Sequence, residues 1–329
     1  MNIIMKKLWY SILTVILCMG ILAGCGTAGT QQAQDDRISI VCTTFPQYDW
    51  VKTIIGDKAD AFEVTYLLED GVDIHSYQPT AMDIAKMTDC DLLIYLGGES
   101  EEWVDEIVAQ NVDIQVINMM TALDGALKTE EMVEGMQHEH HEEEEHHHDE
   151  VVYDEHVWLS LRNAVTLVKV ITEAIMDLDA KNAFVYETNA TAYLMELENL
   201  DAAYAEAVAE AGTDTLLFAD RFPFRYLLDD YAINYYAAFV GCSAETEASF
   251  ETVAFLAGKL DELSLQHVLI LEKSDTRLAD SIIQNSQGKN QDILVLDSIQ
   301  SVSKAELAEG TTYLSIMQEN LEVLKTALN

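Results

Sequence analysis

Basic residues are scarce in this chain. Eighteen Lys and Arg stand against 58 Asp and Glu in 329 residues, a formal net charge of -40. A nucleic-acid backbone is held by Lys and Arg, so this balance argues against nucleic acid as a partner. It fits a secreted protein that handles cations. Cysteines are few and unpatterned. Of five, Cys18 and Cys25 lie in the N-terminal stretch, and Cys42, Cys90 and Cys242 follow with no CxxC spacing. Neither a zinc ribbon nor a disulfide framework is indicated, and these three read as buried small hydrophobes. The common enzyme signatures are missing too: no G-x-S-x-G, P-loop or dinucleotide fingerprint occurs. His138-Glu139 is followed at the fifth place by Glu142, so there is no H-E-x-x-H. A secreted zinc hydrolase, which needs an open coordination position and a general base, is therefore disfavoured.

No apolar run is long enough for a stable membrane span. The N-terminal run from Leu8 to Ala23, broken by Ser11, Thr14 and Gly20, follows Lys6-Lys7 and ends in Leu22-Ala23-Gly24-Cys25. That is a secretory signal layout, expected over residues 1–24. A small-residue site ending in Cys resembles the bacterial lipobox, which would make Cys25 the lipidated first residue of the mature protein. Several acyl chains on one Cys hold a protein to the outer face of a membrane, where one chain binds only marginally. Residues 25–36 are small and polar and read as a tether.

The rest suits two domains better than one. Strand-like and helix-like segments alternate from Ile38 to Met119: strands at 38–44, 62–68, 91–96 and 114–119, with helices at 49–55, 80–87 and 101–110. Thr80 is the expected N-cap of the second helix, with Asp83 in its first turn. This alternation predicts an α/β lobe with a largely parallel sheet over residues 37–179. A helix is expected from Arg162 to Leu178. A longer one follows over 180–211 with no Pro or Gly inside, and Tyr186, Ala190, Tyr193, Leu197, Leu200 and Tyr204 share one face. At ~1.5 Å per residue it would be about 45 Å long and could join two lobes. A second α/β lobe is expected over 212–329, with strands at 215–219, 235–239, 267–271 and 293–296 and helices at 250–263 and 313–328.

Six of the nine histidines crowd into one acidic loop, 137–150: His138, His140, His141, His146, His147 and His148 among glutamates. The run has no apolar periodicity and builds no core. It could capture zinc loosely and raise its local concentration; the plain alternative is a solvated charge run. Outside it stand His75, His156 and His267. His75 and His156 lie in loops of the first lobe, and such loops are where open α/β sheets place ligands. Two imidazoles make half of a four-coordinate site. His267 opens a strand and reads as structural.

With these residues in view, the chain resembles the metal-binding solute-binding proteins of ABC importers, the ZnuA/TroA type, from about Ile38 to its C-terminus. Gly71-Val-Asp-Ile-His-Ser-Tyr-Gln-Pro79 is similar to that family's first-histidine motif, continued by Asp83-Ile-Ala-Lys and Asp91-Leu-Leu-Ile-Tyr-Leu-Gly-Gly98. Asp154-Glu-His-Val-Trp158 resembles its second, 179–204 its spine helix, and Ile293-Leu-Val-Leu-Asp-Ser298 the strand bearing its aspartate ligand. The resemblance implies two α/β lobes joined by one long rigid helix, metal in the cleft between them, and an extracytoplasmic, monomeric, non-enzymatic binding protein. Its partners would be an ABC permease with its ATPase. The implied ligands are His75, His156 and Asp297. Zinc-specific members carry a His-rich insert where this chain has one, which favours Zn2+; two histidines and two carboxylates would also suit Mn2+ or Fe2+. A surface adhesin that holds metal is compatible with import. There are departures. Ile74 and Glu155 replace prolines usual before the histidines. An ungapped match sets Arg221 at a ligand position, and Arg cannot ligate. Asp220 beside it is the expected substitute, with Glu245 and Glu272 as alternatives.

Overall fold

The computed structural model describes residues 37–68, 71–110, 114–137, 151–243 and 247–329. The expected signal, Cys25 with its tether, the six insert histidines and Glu245 lie outside the described residues. Among the described residues, eight strands make two sheets. In the first, β1 (Ile38–Cys42), β2 (Phe62–Tyr66), β3 (Leu92–Tyr95) and β4 (Gln115–Asn118) lie in the order β2-β1-β3-β4, all pairs parallel. In the second, β5 (Thr215–Phe222), β6 (Asn234–Val240), β7 (His267–Leu271) and β8 (Asp292–Leu296) repeat the pattern as β6-β5-β7-β8, again parallel. Parallel strands covered on both faces need unbroken apolar runs, which β3 has: all four of its residues are buried. Each sheet reverses its strand order beside its first strand. A crevice opens there outside the carboxyl ends, where doubly wound sheets bind ligands.

The helices form where caps and periodicity direct them. Helix α1 (Phe45–Ile55) starts four residues earlier than the sequence pattern implied. Pro46 lies in its first turn, where a missing N–H costs nothing, and Gln47 Oε1 accepts from the backbone N of Thr43 and Thr44. Helix α2 (Ala81–Thr88) has the expected cap: Thr80 Oγ1 accepts from Asp83 N, and the Asp83 carboxylate accepts from Thr80 N. After α3 (Glu102–Gln110) and α4 (Met119–Ala122) come α5 (Leu161–Leu178) and the long α6 (Ala183–Ala209). The expected face of α6 is the buried face, Tyr186, Ala190, Tyr193, Leu197, Leu200 and Tyr204 with Ala207. Residues 180–182 form a 3-10 turn instead of its first turn. The second sheet carries α7 (Arg225–Asp230), α8 (Phe250–Leu263), α9 (Arg277–Asn285), α10 (Lys304–Glu309) and α11 (Tyr313–Ala327). Helices α7, α9 and α10 went unread in the sequence, because six to nine residues are too few for a helical period to stand out.

One apolar core runs from the first sheet through α1, α5, α6 and α11 to the inner side of the second sheet. A smaller core lies between the second sheet and α8 and α9. The shared core makes residues 37–329 one compact unit. No helix among the described residues is long and apolar enough to cross a membrane.

Candidate metal centre

The loop after β2 carries His75 within a single 3-10 turn, Ile74–Ser76. Asp73 caps this turn: its Oδ1 accepts from His75 N at 3.0 Å, and its backbone carbonyl accepts from Ser76 N. Ile74 is buried beneath and fixes the loop where the usual proline is absent. The His75 ring is then set from one side. Its Nδ1 lies 2.8 Å from Ser100 Oγ and 3.7 Å from Glu155 Oε2. Burial, followed by the neighbouring charge of His156, lowers His75 to about 4. Its imidazole is therefore neutral at ordinary pH, and one of its two ring nitrogens keeps a lone pair.

His156 is fully buried. Asp154 Oδ1 accepts both from His156 N at 2.8 Å and from its ring Nδ1 at 3.0 Å, which assigns the proton to Nδ1 and leaves Nε2 as the free donor atom. The Trp158 ring meets the imidazole edge-on at 5.4 Å. Trp158 is itself fixed from the second half of the chain: its Nε1–H donates to the Ser298 carbonyl at 2.9 Å, and its own carbonyl accepts from Tyr313 OH at 2.7 Å. Glu155 is buried behind the pair, with Oε1 accepting from Ser100 N. Gly98 makes room for it, since a Cβ at this residue, whose φ is +84°, would come within 2.4 Å of Glu155 Oε1. The outcome is two Nε2 atoms facing each other at 3.3 Å, with both Nδ1 atoms engaged on the far sides.

The loop after β6 supplies a third atom. Among the described residues, His75, His156 and Cys242 form a group whose ligand atoms all lie within 4.8 Å of one another. Cys242 is half-buried, so the expectation that it only fills space needs correcting: its sulfur stands at the histidine pair. Gly241 permits the approach. A Cβ there would lie 2.9 Å from the Phe222 carbonyl and 3.0 Å from His156 Cε1. Burial, then the charges of Glu155 and Asp154, pushes the Cys242 thiol up, which keeps it protonated at ordinary pH.

The two expected carboxylates are not in this group. Asp220 sits at a register shift in β5 and has both oxygens occupied by backbone: Oδ1 accepts from Arg221 N, and Oδ2 accepts from Leu271 N at 3.0 Å. The shift re-aims Arg221, whose Nη2 meets Asp73 Oδ2 at 2.7 Å. The guanidinium thus clasps the His75 loop from the second sheet. Burial opposes the Asp73 charge, but Arg221 and His75 prevail and hold its carboxyl below the usual range. Asp297 Oδ1 accepts from Ile299 N at 2.7 Å, and Glu272 binds Ser298 with both oxygens. Asp297 and Glu272 line a separate small cavity with Lys273, Glu306 and Glu319. His267 begins β7, as read from the sequence.

Comparison with known proteins places this geometry in context. The family model described as zinc-uptake complex component A, periplasmic, matches residues 40–327. The high-affinity zinc uptake system protein ZnuA of Bacillus subtilis is 31% identical over 331 residues, covering 98% of this chain and 99% of that protein. The zinc-binding lipoprotein AdcA of Streptococcus pneumoniae is 30% identical over 323 residues, 98% of this chain but 61% of the longer relative. Among solved structures, the metal-dependent lipoprotein YcdH from Bacillus subtilis superposes with a TM-score of 0.72 at 27% identity, over 89% of this chain and 99% of that one. The Zn(II)-bound ZnuA-like domain of Streptococcus pneumoniae AdcA gives 0.69 at 26% identity, with the same coverage.

Proposed function

The chain belongs to the zinc-uptake complex component A family, and from that premise we propose that it captures Zn2+ outside the cytoplasm through His75 and His156 and passes it to an ABC importer. It is a transport component, not an enzyme, and zinc is its cargo. The observation that carries the site is the facing pair of Nε2 atoms at 3.3 Å. At this distance the two nitrogens can share one proton, His75 donating Nε2–H to His156 Nε2, and a cation can take the place of that proton with both lone pairs. A tetrahedral zinc with bonds of ~2.0–2.1 Å sets its nitrogen ligands about 3.3–3.4 Å apart, so the rings need almost no movement to bind. Outer hydrogen bonds of this kind, on both Nδ1 atoms, are what orients metal-bound histidines.

The clasp between Arg221 and Asp73 joins the His75 loop to the second sheet, and it suits a site that must close on an ion and later open. The permease and its ATPase are the acceptors that this role requires. Cys25 is the proposed lipid attachment; the Leu22-Ala23-Gly24-Cys25 sequence supports it, and a relative's description as a lipoprotein agrees. Calorimetric titration of metal-stripped protein with Zn2+ and Mn2+, together with growth of a deletion strain at limiting zinc, tests the reading. Weak zinc binding and unimpaired growth would overturn it.

A further inference from the structure

We propose that Cys242 is the third ligand of the captured ion, as a thiolate, so that the site is His2Cys and selects borderline-soft dications such as Zn2+ over Mn2+. This rests on the zinc-capture reading above and adds to it the ligand from the second sheet. Three independent observations support it. The donor atoms of His75, His156 and Cys242 share one space, within 4.8 Å of each other. Gly241 is the residue that lets this loop lie against the His156 ring, so the approach of Cys242 is built into the backbone. Among the described residues, the carboxylates expected in that place are turned elsewhere: Asp220 to the backbone of β5 and β7, Glu272 and Asp297 to the segment 298–299. Arg221 offers no lone pair.

Zinc bonds of ~2.0–2.1 Å to nitrogen and ~2.3 Å to sulfur place a tetrahedral sulfur about 3.5–3.6 Å from each nitrogen. The sulfur, within 4.8 Å of the nitrogens, therefore needs to move inward by at most about 1.3 Å. On binding, the Cys242 S–H bond gives its proton to solvent and the sulfur electron pair forms the bond to zinc; charge and atoms balance with no other reactant. A fourth position stays free for water or for a group of the acceptor. Thiolate suits Zn2+ and Cd2+, whereas Mn2+ prefers oxygen donors, so the sulfur sets the choice of metal.

The test uses the full chain with Zn2+, Mn2+ and Co2+ as probes. X-ray absorption at the zinc edge of protein holding one zinc should show a sulfur neighbour at about 2.3 Å. The Co2+ form should show a sulfur-to-cobalt charge-transfer band that Cys242→Ser and Cys242→Ala both lack. Both variants should lose at least about tenfold in Zn2+ affinity, the scale on which even outer partners of metal ligands count, while Mn2+ affinity barely changes. A zinc shell of nitrogen and oxygen only, or full Zn2+ affinity in both variants, overturns the proposal. His75→Ala separates the two claims. If it abolishes tight zinc binding while Cys242→Ser does not, only the cysteine ligand is wrong; if neither variant matters, the zinc-capture reading falls as well. The absorption measurement needs no variant, so a variant that fails to fold leaves the proposal open to refutation.

Discussion

Each histidine of the pair is held by a different neighbour, and this gives residue-scale predictions. His75→Ala or His156→Ala should abolish tight zinc binding while the fold is kept, since each removes one of two facing nitrogens. Titration calorimetry beside circular dichroism decides it; near-native affinity in both variants would remove the site. Asp154→Asn keeps the shape but exchanges the carboxylate acceptor of His156 Nδ1–H for an amide. Zinc affinity should fall by about 10–100-fold, the usual effect of losing such a partner. An unchanged dissociation constant would mean that Trp158 packing alone orients the ring. The sequence points to His75 and His156 because each sits in a motif with recognisable neighbours. Cys242 had no such mark. A single cysteine with no second at fixed spacing carries no local signal, and only the packing of the β6 loop against His156, 86 residues away in sequence, brings it in. Asp220 suggests itself by its place beside Arg221; the register shift in β5, which turns its carboxylate to Leu271 N, is a feature of strand pairing that composition does not reveal.

Elements were legible where they were long or capped. The α6 face followed from 3.6-residue periodicity, and Thr80–Asp83 announced α2. The short helices and the exact turns between β3 and α3 were not, and one of these turns holds a titrating group. Glu101 lies there fully buried, with Oε2 accepting from Leu96 N and Gly97 N. Burial outweighs these hydrogen bonds and raises its carboxyl to about 7. The folded state thus keeps a proton that the unfolded chain has lost between the ordinary carboxylate range and pH 7. Stability supplied by that proton is full at low pH and is lost as pH rises toward the folded value, up to roughly 3 kcal/mol for a shift of this size. Glu101→Gln carries no such titration. Metal-free wild-type protein should therefore lose melting temperature relative to Glu101→Gln as pH goes from 5 to about 8. Parallel melting curves across that range would show that Glu101 is already ionised in the fold.

At the scale of the whole molecule, the acidic balance and the His-rich insert bear on how zinc reaches the cleft. The sequence treats 137–150 as one unanchored loop, but its first residue is tied down. Gln137 N donates to the Ala238 carbonyl at 2.9 Å, and its side chain bonds Ser249 N and the Glu247 carbonyl. Ala238 lies in β6, four residues before Cys242, so Gln137 belongs to the scaffold of the site and the histidines begin only after it. Two deletions should then behave differently. Removing His138 to Glu150 takes away six imidazoles among acids in a run whose sequence offers no apolar residues for a core, and ligands on such a run are expected to hold metal more weakly than ligands on packed loops. Stoichiometry with Zn2+ should fall, while the tightest dissociation constant stays within a few-fold. Growth should suffer only at limiting zinc, where loose capture by the insert raises the local supply. Removing Gln137 as well cuts the bonds to β6 and the start of α8, and should loosen the Cys242 loop, weakening the tight site too. Calorimetric titration of both forms with Zn2+ tells them apart. If the shorter deletion already destroys the tight site, the insert contributes a ligand of its own and the cleft described here is incomplete.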